Sequence, residues 1–199
     1  MSPDDIPWNI ETPPEILLAI SNTLLSPCRI IDLGCGAGNY VIYLAKKGFD
    51  AIGVDISENA IDMARKTARK LGVSCAFVVA DVLGDIVEFR NGFDFAYDWE
   101  LLHHIFPESR DKYIENVCRF LKPAGRYLSV SFSERSRQFG GVGKYRKTPL
   151  GTVLYFSNES ELESLLRNHF VIEDLKTIDI RGKHAVHTAV YALCRKKNS

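Results

Sequence analysis

The sequence predicts an α/β protein built on a doubly wound, mostly parallel β-sheet that ends in an antiparallel C-terminal hairpin. Apolar strand-like runs alternate with amphipathic helical segments as far as residue 132. The first strand runs into a loop with glycines at alternate positions, which is typical of a ligand-binding turn between a strand and a helix. The last two strand-like runs are joined by only a few residues around Arg181, too few for a helical crossover, so they must pair antiparallel.

The predicted strands follow apolar runs that end in polar or turn residues. They cover residues 29–33, 50–55, 74–80, 93–97, 126–132, 171–180 and 185–194. The first four end at or next to an aspartate, and the fifth follows a Lys-Pro-Ala-Gly stop. Five strands therefore belong to the alternating part of the chain and two to the terminal hairpin.

Helix boundaries are predicted from capping residues. Thr12, with Pro13 and Glu15, forms a capping box for the first helix. The second helix follows the glycine loop and ends at Gly48, and Ser57 caps the third, which runs as an apolar stripe to Gly72. Two more helices are predicted over residues 107–121 and 158–169.

Composition limits the function classes. The 199 residues form one domain, 46% hydrophobic and 25% charged, with 25 basic and 25 acidic residues in balance. We therefore expect no nucleic-acid partner, no membrane partner and a cytoplasmic protein, either a monomer or a homodimer. The five widely spaced cysteines include no Cys-x-x-Cys pair, and His184 and His187 face opposite sides of a predicted strand, so no metal site is predicted.

The spacing of the glycine loop selects the cofactor. Gly34, Gly36 and Gly38 alternate, whereas dinucleotide sites usually read Gly-x-Gly-x-x-Gly. Asp32 lies two residues before the first glycine, where it would repel a diphosphate but suit a cationic amino acid. Asp55 ends the second strand, at about the offset where an acidic side chain accepts hydrogen bonds from ribose hydroxyls. The combination favours a phosphate-free, cationic nucleoside.

With this acidic-x-Gly-x-Gly-x-Gly motif the chain resembles the class I S-adenosylmethionine-dependent methyltransferases. The resemblance implies a seven-stranded Rossmann-like fold, S-adenosyl-L-methionine as cofactor with S-adenosyl-L-homocysteine as product, and a small-molecule substrate carrying a thiol, hydroxyl or metalloid group. The Pro-Trp start and the Leu-Gly-Thr…Tyr-Phe-Ser run are similar to the thiopurine and tellurite-resistance methyltransferase group. That similarity covers nearly the whole chain but is less specific than the cofactor motif.

The resemblance also implies roles for single residues. Asp32 orients the methionine moiety above the loop, Asp55 binds the ribose, Asp81 accepts from the adenine amino group, and Asp98 and Trp99 lie beside the methyl donor. The implied cofactor-binding set is Asp32, Gly34, Cys35, Gly36, Gly38, Asp55, Ile56, Asp81, Val82, Asp98 and Trp99. His103 and His104 are the candidate catalytic bases, since the unperturbed pKa of histidine lies near neutrality.

Two outer segments are expected to complete the acceptor side. Residues 1–27 form an N-terminal cap segment and helix, with Trp8 across the cofactor mouth. Residues 133–150 form a lid loop, which contains five basic residues and one glutamate. A net charge of this sign on a flexible loop suits an anionic acceptor, while a solvated mobile loop is the other interpretation.

Two other functions remain open from the sequence. An NAD-dependent oxidoreductase is one, because Tyr43 and Lys47 match a Tyr-x-x-x-Lys pattern, although on the wrong helix for reductase chemistry. A protein that binds S-adenosylmethionine without catalysis is the other, because class I methyl transfer requires no obligatory catalytic side chain.

Overall fold

The computed structural model describes residues 13–24, 28–182 and 185–198. Its main sheet has seven strands in the order β3-β2-β1-β4-β5-β9-β8. Strands β1 to β5 pair in parallel, whereas β9 pairs antiparallel with both β5 and β8. The predicted doubly wound sheet with an antiparallel C-terminal hairpin is confirmed.

The strands of the main sheet are β1 (Arg29–Leu33), β2 (Asp50–Asp55), β3 (Ala76–Val79), β4 (Phe93–Trp99), β5 (Leu121–Phe132), β8 (Phe170–Arg181) and β9 (Val186–Lys196). A separate two-stranded hairpin pairs β6 (Tyr145–Lys147) with β7 (Val153–Tyr155). The helices are α1 (Glu15–Ser21), α2 (Asn39–Lys46), α3 (Glu58–Lys70), α4 (Pro107–Phe120) and α5 (Glu159–Leu166). Short 3₁₀ turns cover Val87–Phe89, Leu102–His104 and Gln138–Gly140.

The helices lie on the two faces of the sheet. Buried side chains of α1, α2 and α3 form one apolar cluster with one face, and those of α4 and α5 form a second cluster with the other. Both faces of the parallel strands are therefore covered, so that β1, for example, reads as a nearly continuous buried run. Within the described residues, no helix has the length and apolar character needed to cross a bilayer.

Most predicted helix ends are confirmed. The Ser57 hydroxyl accepts from the Ala60 N–H at the start of α3. Asn158 and Glu161 form a full capping box at the start of α5. Gly48 takes a left-handed conformation just after α2.

Several boundaries differ from prediction, among them the end of α5, which is Leu166 and not residue 169. The first helix begins at Glu15 with Pro14 as its N-cap and no side-chain cap, so the predicted role of Thr12 as N-cap is wrong; Thr12 itself lies outside the described residues. Strand β5 was predicted to begin at Arg126, after the Lys-Pro-Ala-Gly turn, but it begins at Leu121. Leu121 pairs with Phe93, the register then shifts, and regular pairing with β4 resumes at Arg126. Sequence patterns do not reveal such an irregularity.

The basic segment after β5 is structured, contrary to the expected flexible loop. Strand β6 pairs with β7, and the buried Arg146 lies at its centre. The Arg146 guanidinium donates to the carbonyls of Glu134, Ser136, Gln138 and Gly143 and packs over the ring of Phe156. This arginine holds the segment together and is not free to bind an acceptor.

Gly38, at the start of α2, has φ of +76° and is enclosed by side chains. A Cβ there would lie 2.4 Å from the Phe77 ring and 2.8 Å from the Ala64 methyl group. We expect Gly38→Ala to lower the free energy of unfolding by about 2–4 kcal/mol, from overpacking added to left-handed strain. Gly72→Ala is the control, because Gly72 has φ of +63° but open space around its Cβ position. Urea unfolding of both variants measures the difference, and equal losses would show that packing around Gly38 is loose.

Candidate functional site

The candidate site lies at the carboxyl edge of the parallel strands, where the chain changes direction across the sheet. Helices α2 and α3 cover one face after β1 and β2, and the chain then returns to place β4 on the other side of β1. Ligands of open α/β sheets bind at such a switch point, outside the strand ends. The glycine loop and the segment after β4 meet here.

The glycine loop is fixed by backbone hydrogen bonds. The N–H groups of Gly34 and Cys35 both donate to the Val54 carbonyl of the neighbouring strand. Gly34 and Gly36 are left-handed, with φ of +76° and +51°. A Cβ at Gly34 would meet the Leu101 side chain at 2.8 Å, whereas one at Gly36 would have nothing within 4 Å. The loop is thus packed from below and open at Gly36.

Asp55 ties this loop to the next helix. Its Oδ2 accepts from the Gly36 N–H at 2.9 Å, and its Oδ1 accepts from the Ser57 N–H at 2.8 Å. A carboxylate oxygen accepts more than one hydrogen bond, so both oxygens can still receive hydroxyl donors. The side chain is fixed in orientation beside the open part of the loop.

Asp32 is almost fully buried at 4% exposure. Its Oδ2 accepts from the Tyr97 hydroxyl at 2.8 Å, and no Lys or Arg in the described part of the chain forms an ion pair with it. Burial raises the pKa of Asp32 to about 8, although the Tyr97 hydrogen bond opposes the shift. A buried carboxylate that lacks a cation is costly, and a bound ammonium or sulfonium group would compensate for it.

Asp98, predicted to lie beside the methyl donor, directs its carboxylate into the protein. It is fully buried and accepts hydrogen bonds from the hydroxyls of Tyr113, Tyr127 and Ser129. Burial raises the pKa of Asp98 to about 6, against the effect of these donors. The side chain therefore links β4 to α4 and β5, and only its backbone remains a candidate contact for the cofactor.

The other predicted cofactor residues lie near the strand ends. Ile56 is 70% exposed just after β2, in position to contact a flat ring. Asp81 follows β3, where its Oδ1 accepts from the Leu83 N–H at 2.9 Å, and Val82 is buried beneath. Trp99 ends β4 and packs against the α2 side of the core. Their cofactor contacts remain predictions.

Cys35 is the least reactive of these residues. Burial is the main cause that raises the pKa of its thiol well above the ordinary range, and the carboxylates of Asp32 and Asp55 add to the shift. A Cβ on Gly53 of β2 would meet the Cys35 sulfur at 2.7 Å, so this glycine provides the space for the thiol. The side chain is a packing element of the loop.

The two candidate bases have different environments. His103 is buried and stacks on the Phe132 ring, and its Nδ1 accepts from the Phe132 N–H at 3.4 Å. Burial lowers the pKa of His103 well below its ordinary value, so it is neutral. His104 is exposed; partial desolvation lowers its pKa, while the charges of Glu100 and Asp55 act in the opposite direction. Of the two, His104 alone faces solvent near the carboxylates of the site.

A hydrogen-bonded pair at this edge, Glu100 and His187, is not predicted by the sequence. Glu100 follows β4 in a left-handed conformation with φ of +66°, and its Oε1 lies 2.6 Å from the Nε2 of the buried His187. Its N–H donates to the Val130 carbonyl at 2.8 Å, which fixes this strained position. The charge of Glu100 also acts on Tyr40, at the start of α2. No local motif signals a pair separated by 87 residues.

The described residues fit S-adenosylmethionine better than a dinucleotide. The loop is open at Gly36, and the carboxylates of Asp32 and Asp55 lie beside it without a balancing cation in the described part of the chain. Those charges favour an ammonium and a sulfonium and repel a diphosphate. The methionine moiety would lie near Asp32 and the ribose near Asp55.

Asp32 is expected to destabilise the unliganded protein as pH rises. Its folded pKa of about 8 exceeds the unfolded value, so stability is greatest below the unfolded pKa and falls until pH passes the folded pKa. The variant Asp32→Asn keeps the Tyr97 hydrogen bond. We expect its free energy of unfolding, relative to that of the native protein, to rise by about 1–4 kcal/mol from pH 5 to pH 8. Urea unfolding at both pH values measures the change, and a constant difference would mean that Asp32 is ionised in the fold.

Comparison with known proteins agrees with this geometry. Residues 30–125 match the family model described as Methyltransferase domain. The 2-heptyl-1-hydroxyquinolin-4(1H)-one methyltransferase of Mycobacteroides abscessus is 31% identical over 130 residues, 64% of this chain and 56% of that protein. The chain spans about half the length of this relative.

Two solved structures share the fold. The 1,6-didemethyltoxoflavin-N1-methyltransferase of Burkholderia thailandensis, solved with S-adenosylhomocysteine, is 26% identical with a TM-score of 0.72, over 92% of this chain and 76% of that one. TehB from Haemophilus influenzae is 20% identical with a TM-score of 0.72, over 96% of this chain and 64% of that one. The sheet order, the acidic glycine loop and the match of residues 30–125 to a methyltransferase family model support a methyltransferase domain of the class I, S-adenosylmethionine-dependent kind.

Proposed function

We propose that the protein transfers the methyl group of S-adenosylmethionine to a small molecule that carries a thiol, hydroxyl or metalloid acceptor. The observation that carries this proposal is the buried Asp32 carboxylate beside the open glycine loop. The Asp32 carboxyl has no cationic partner in the described part of the chain, and a cationic cofactor would complete the site by stabilising its ionised form.

The carboxyl-edge residues would hold the cofactor along its length. Asp32 and the backbone of the glycine loop bind the methionine end, and Asp55 binds the ribose. Ile56 covers the adenine ring, and Asp81 and Val82 contact its edge. When bound, S-adenosylmethionine supplies an electrophilic methyl group on a sulfonium centre.

The protein contributes mainly alignment and exclusion of water. An acceptor held about 3–3.5 Å from the methyl group reacts in an effectively unimolecular step, which is worth of order 7–11 kcal/mol in favourable cases. The fixed loop and the strained segment at Glu100 provide rigid walls for that alignment. No metal is required by this mechanism.

A thiol or hydroxyl acceptor must lose a proton, and His104 is the better placed histidine. It is exposed near Glu100 and Asp55, whereas His103 is buried and its Nδ1 is occupied by a backbone donor. A neutral His104 would accept the proton of the thiol or hydroxyl at a ring nitrogen, which leaves the acceptor as the stronger nucleophile. His103 supports the segment by stacking on Phe132.

Cofactor binding is tested at Asp55. We expect Asp55→Ala to weaken S-adenosylhomocysteine binding by about 1–3 kcal/mol, because charge-assisted hydrogen bonds to the ribose are lost. Asp50→Ala is the control, since Asp50 lies at the other end of β2 and pairs with Arg29 on the surface. Isothermal titration calorimetry with S-adenosylhomocysteine and with NADH measures both affinities. Unchanged affinity in the Asp55 variant would remove Asp55 from the site, and a preference for NADH would favour an oxidoreductase.

Turnover is tested with labelled S-adenosylmethionine and a panel of thiols, phenols and metalloid oxyanions. For a thiol or phenol acceptor we expect His104→Gln to lower kcat about 10²-fold or more, because the proton acceptor is lost, while the Kd for S-adenosylhomocysteine is unchanged. His169→Gln, in the turn between α5 and β8, is the matched control. Full activity in the His104 variant would exclude it as the base. Cofactor binding without transfer to any acceptor would favour a non-catalytic binding protein.

A further inference from the structure

A cavity lies next to the Glu100–His187 pair, on the side of the basic segment that follows β5. Its volume is about 360 Å³, within the range of small-ligand sites. The cavity is lined by Arg135, Arg137 and Gln138 from the segment after β5 and by residues 185–188 at the start of β9. It therefore joins the predicted lid segment to the end of the main sheet.

The two basic side chains at this cavity, Arg135 and Arg137, are exposed and lack a close ion pair within the described residues. Arg135 is 67% exposed, and its ion pair with Glu159 is long, at 3.9 Å. Arg137 is exposed and forms no ion pair within the described residues. Lys144, in contrast, lies 2.6 Å from Glu161 and 3.6 Å from Glu134. Lys144 thus pairs with carboxylates of the fold, whereas Arg135 and Arg137 line the cavity.

His187 connects the cavity to the cofactor edge. Its ring is almost buried, packs edge-on against Phe132 and is held at Nε2 by Glu100. Glu100 directly follows β4, near Tyr40 and His104. A ligand that contacts the two arginines would therefore extend past His187 toward the residues proposed to face the methyl donor.

The charge at the cavity matches a monoanion. Arg135 and Arg137 bring two positive charges, and Glu159 lies within 3.9 Å of Arg135. The carboxylate of Glu100 stands behind His187 and limits the positive potential further. Among the described residues the net positive charge of these groups is therefore small, which favours a carboxylate over a dianion, and one carboxylate fits a guanidinium fork.

We propose that this cavity binds the carboxylate of an acidic methyl acceptor, with Arg135 and Arg137 as its specificity-determining residues. The inference rests on the proposed methyltransferase function and narrows its substrate to carboxylate-bearing molecules. His187 acts as a positioning residue, because Glu100 fixes its ring between the carboxylate subsite and the cofactor edge.

The test is an NMR titration of the full chain with benzoate, with benzamide and phenyl phosphate as neutral and dianionic analogues. We expect benzoate to saturate and to shift the amide signals of residues 135–138 and 186–188. Binding should be at least tenfold weaker for benzamide and for phenyl phosphate. It should also be at least tenfold weaker in the double variant Arg135→Gln/Arg137→Gln. The control Arg69→Gln/Lys70→Gln removes two exposed cationic residues at the end of α3 and should bind benzoate like the native protein.

Equal affinity for benzoate and benzamide, no saturable binding, or unchanged binding in the Arg135/Arg137 variant would each overturn the carboxylate site. Tighter binding of phenyl phosphate than of benzoate would overturn the choice of a monoanion. The same titrations are run with and without S-adenosylhomocysteine. Failure of S-adenosylhomocysteine to bind would count against the methyltransferase proposal, while the benzoate signals would still report on the cavity.

Discussion

The arrangement of the site depends on the burial of Asp32 at the point where β1 and β4 pair. Asp32 lies opposite Tyr97 in the register of these two strands, and the Tyr97 hydroxyl is its hydrogen-bond donor. A buried carboxylate without a cation destabilises the unliganded fold, and that cost is recovered when a cationic ligand binds. The switch point therefore favours positive charge before any other contact is considered.

The aspartates at the strand ends differ in whether their carboxylates stay near the surface or are buried among protein partners. Asp55 and Asp81 remain near the surface and accept from backbone N–H groups, which fixes the orientation of their carboxylates. Asp98 turns to the opposite face of the sheet, where three hydroxyls bind it and connect β4 to α4 and β5. Adjacent residues of a strand face opposite sides, which explains why Tyr97 and Asp98 serve different layers.

The basic segment after β5 likewise contains both a buried residue and exposed residues of the same charge. Arg146 is buried and donates to four carbonyls, which gives the segment a defined shape. Arg135 and Arg137 are left at the surface of a cavity beside His187. A segment shaped internally by one arginine holds the backbone at the two others in place, so binding there would cost less entropy than ordering a free loop.

Local sequence patterns were enough to predict the fold class, the glycine loop and most helix ends. Hydrophobic periodicity and capping are local, so the patterns at Ser57, Gly48 and Asn158 were sufficient to place them. Local patterns also gave the antiparallel hairpin, because a short connection excludes a parallel crossover. The family resemblance added the identity of the cofactor to this picture.

Sequence patterns do not tell which charged residues are buried among protein partners and which stay exposed at the carboxyl edge. Asp98 resembles a site residue in sequence, but its carboxylate is buried among hydroxyls brought from α4 and β5. Arg146 resembles one too, but it is buried against carbonyls of its own segment. The pairing of Glu100 with His187 depends on the order of strands in the sheet, which places β9 beside β5 and close to the end of β4. Side-chain burial and long-range charge pairing depend on packing between elements, and no local spacing encodes them.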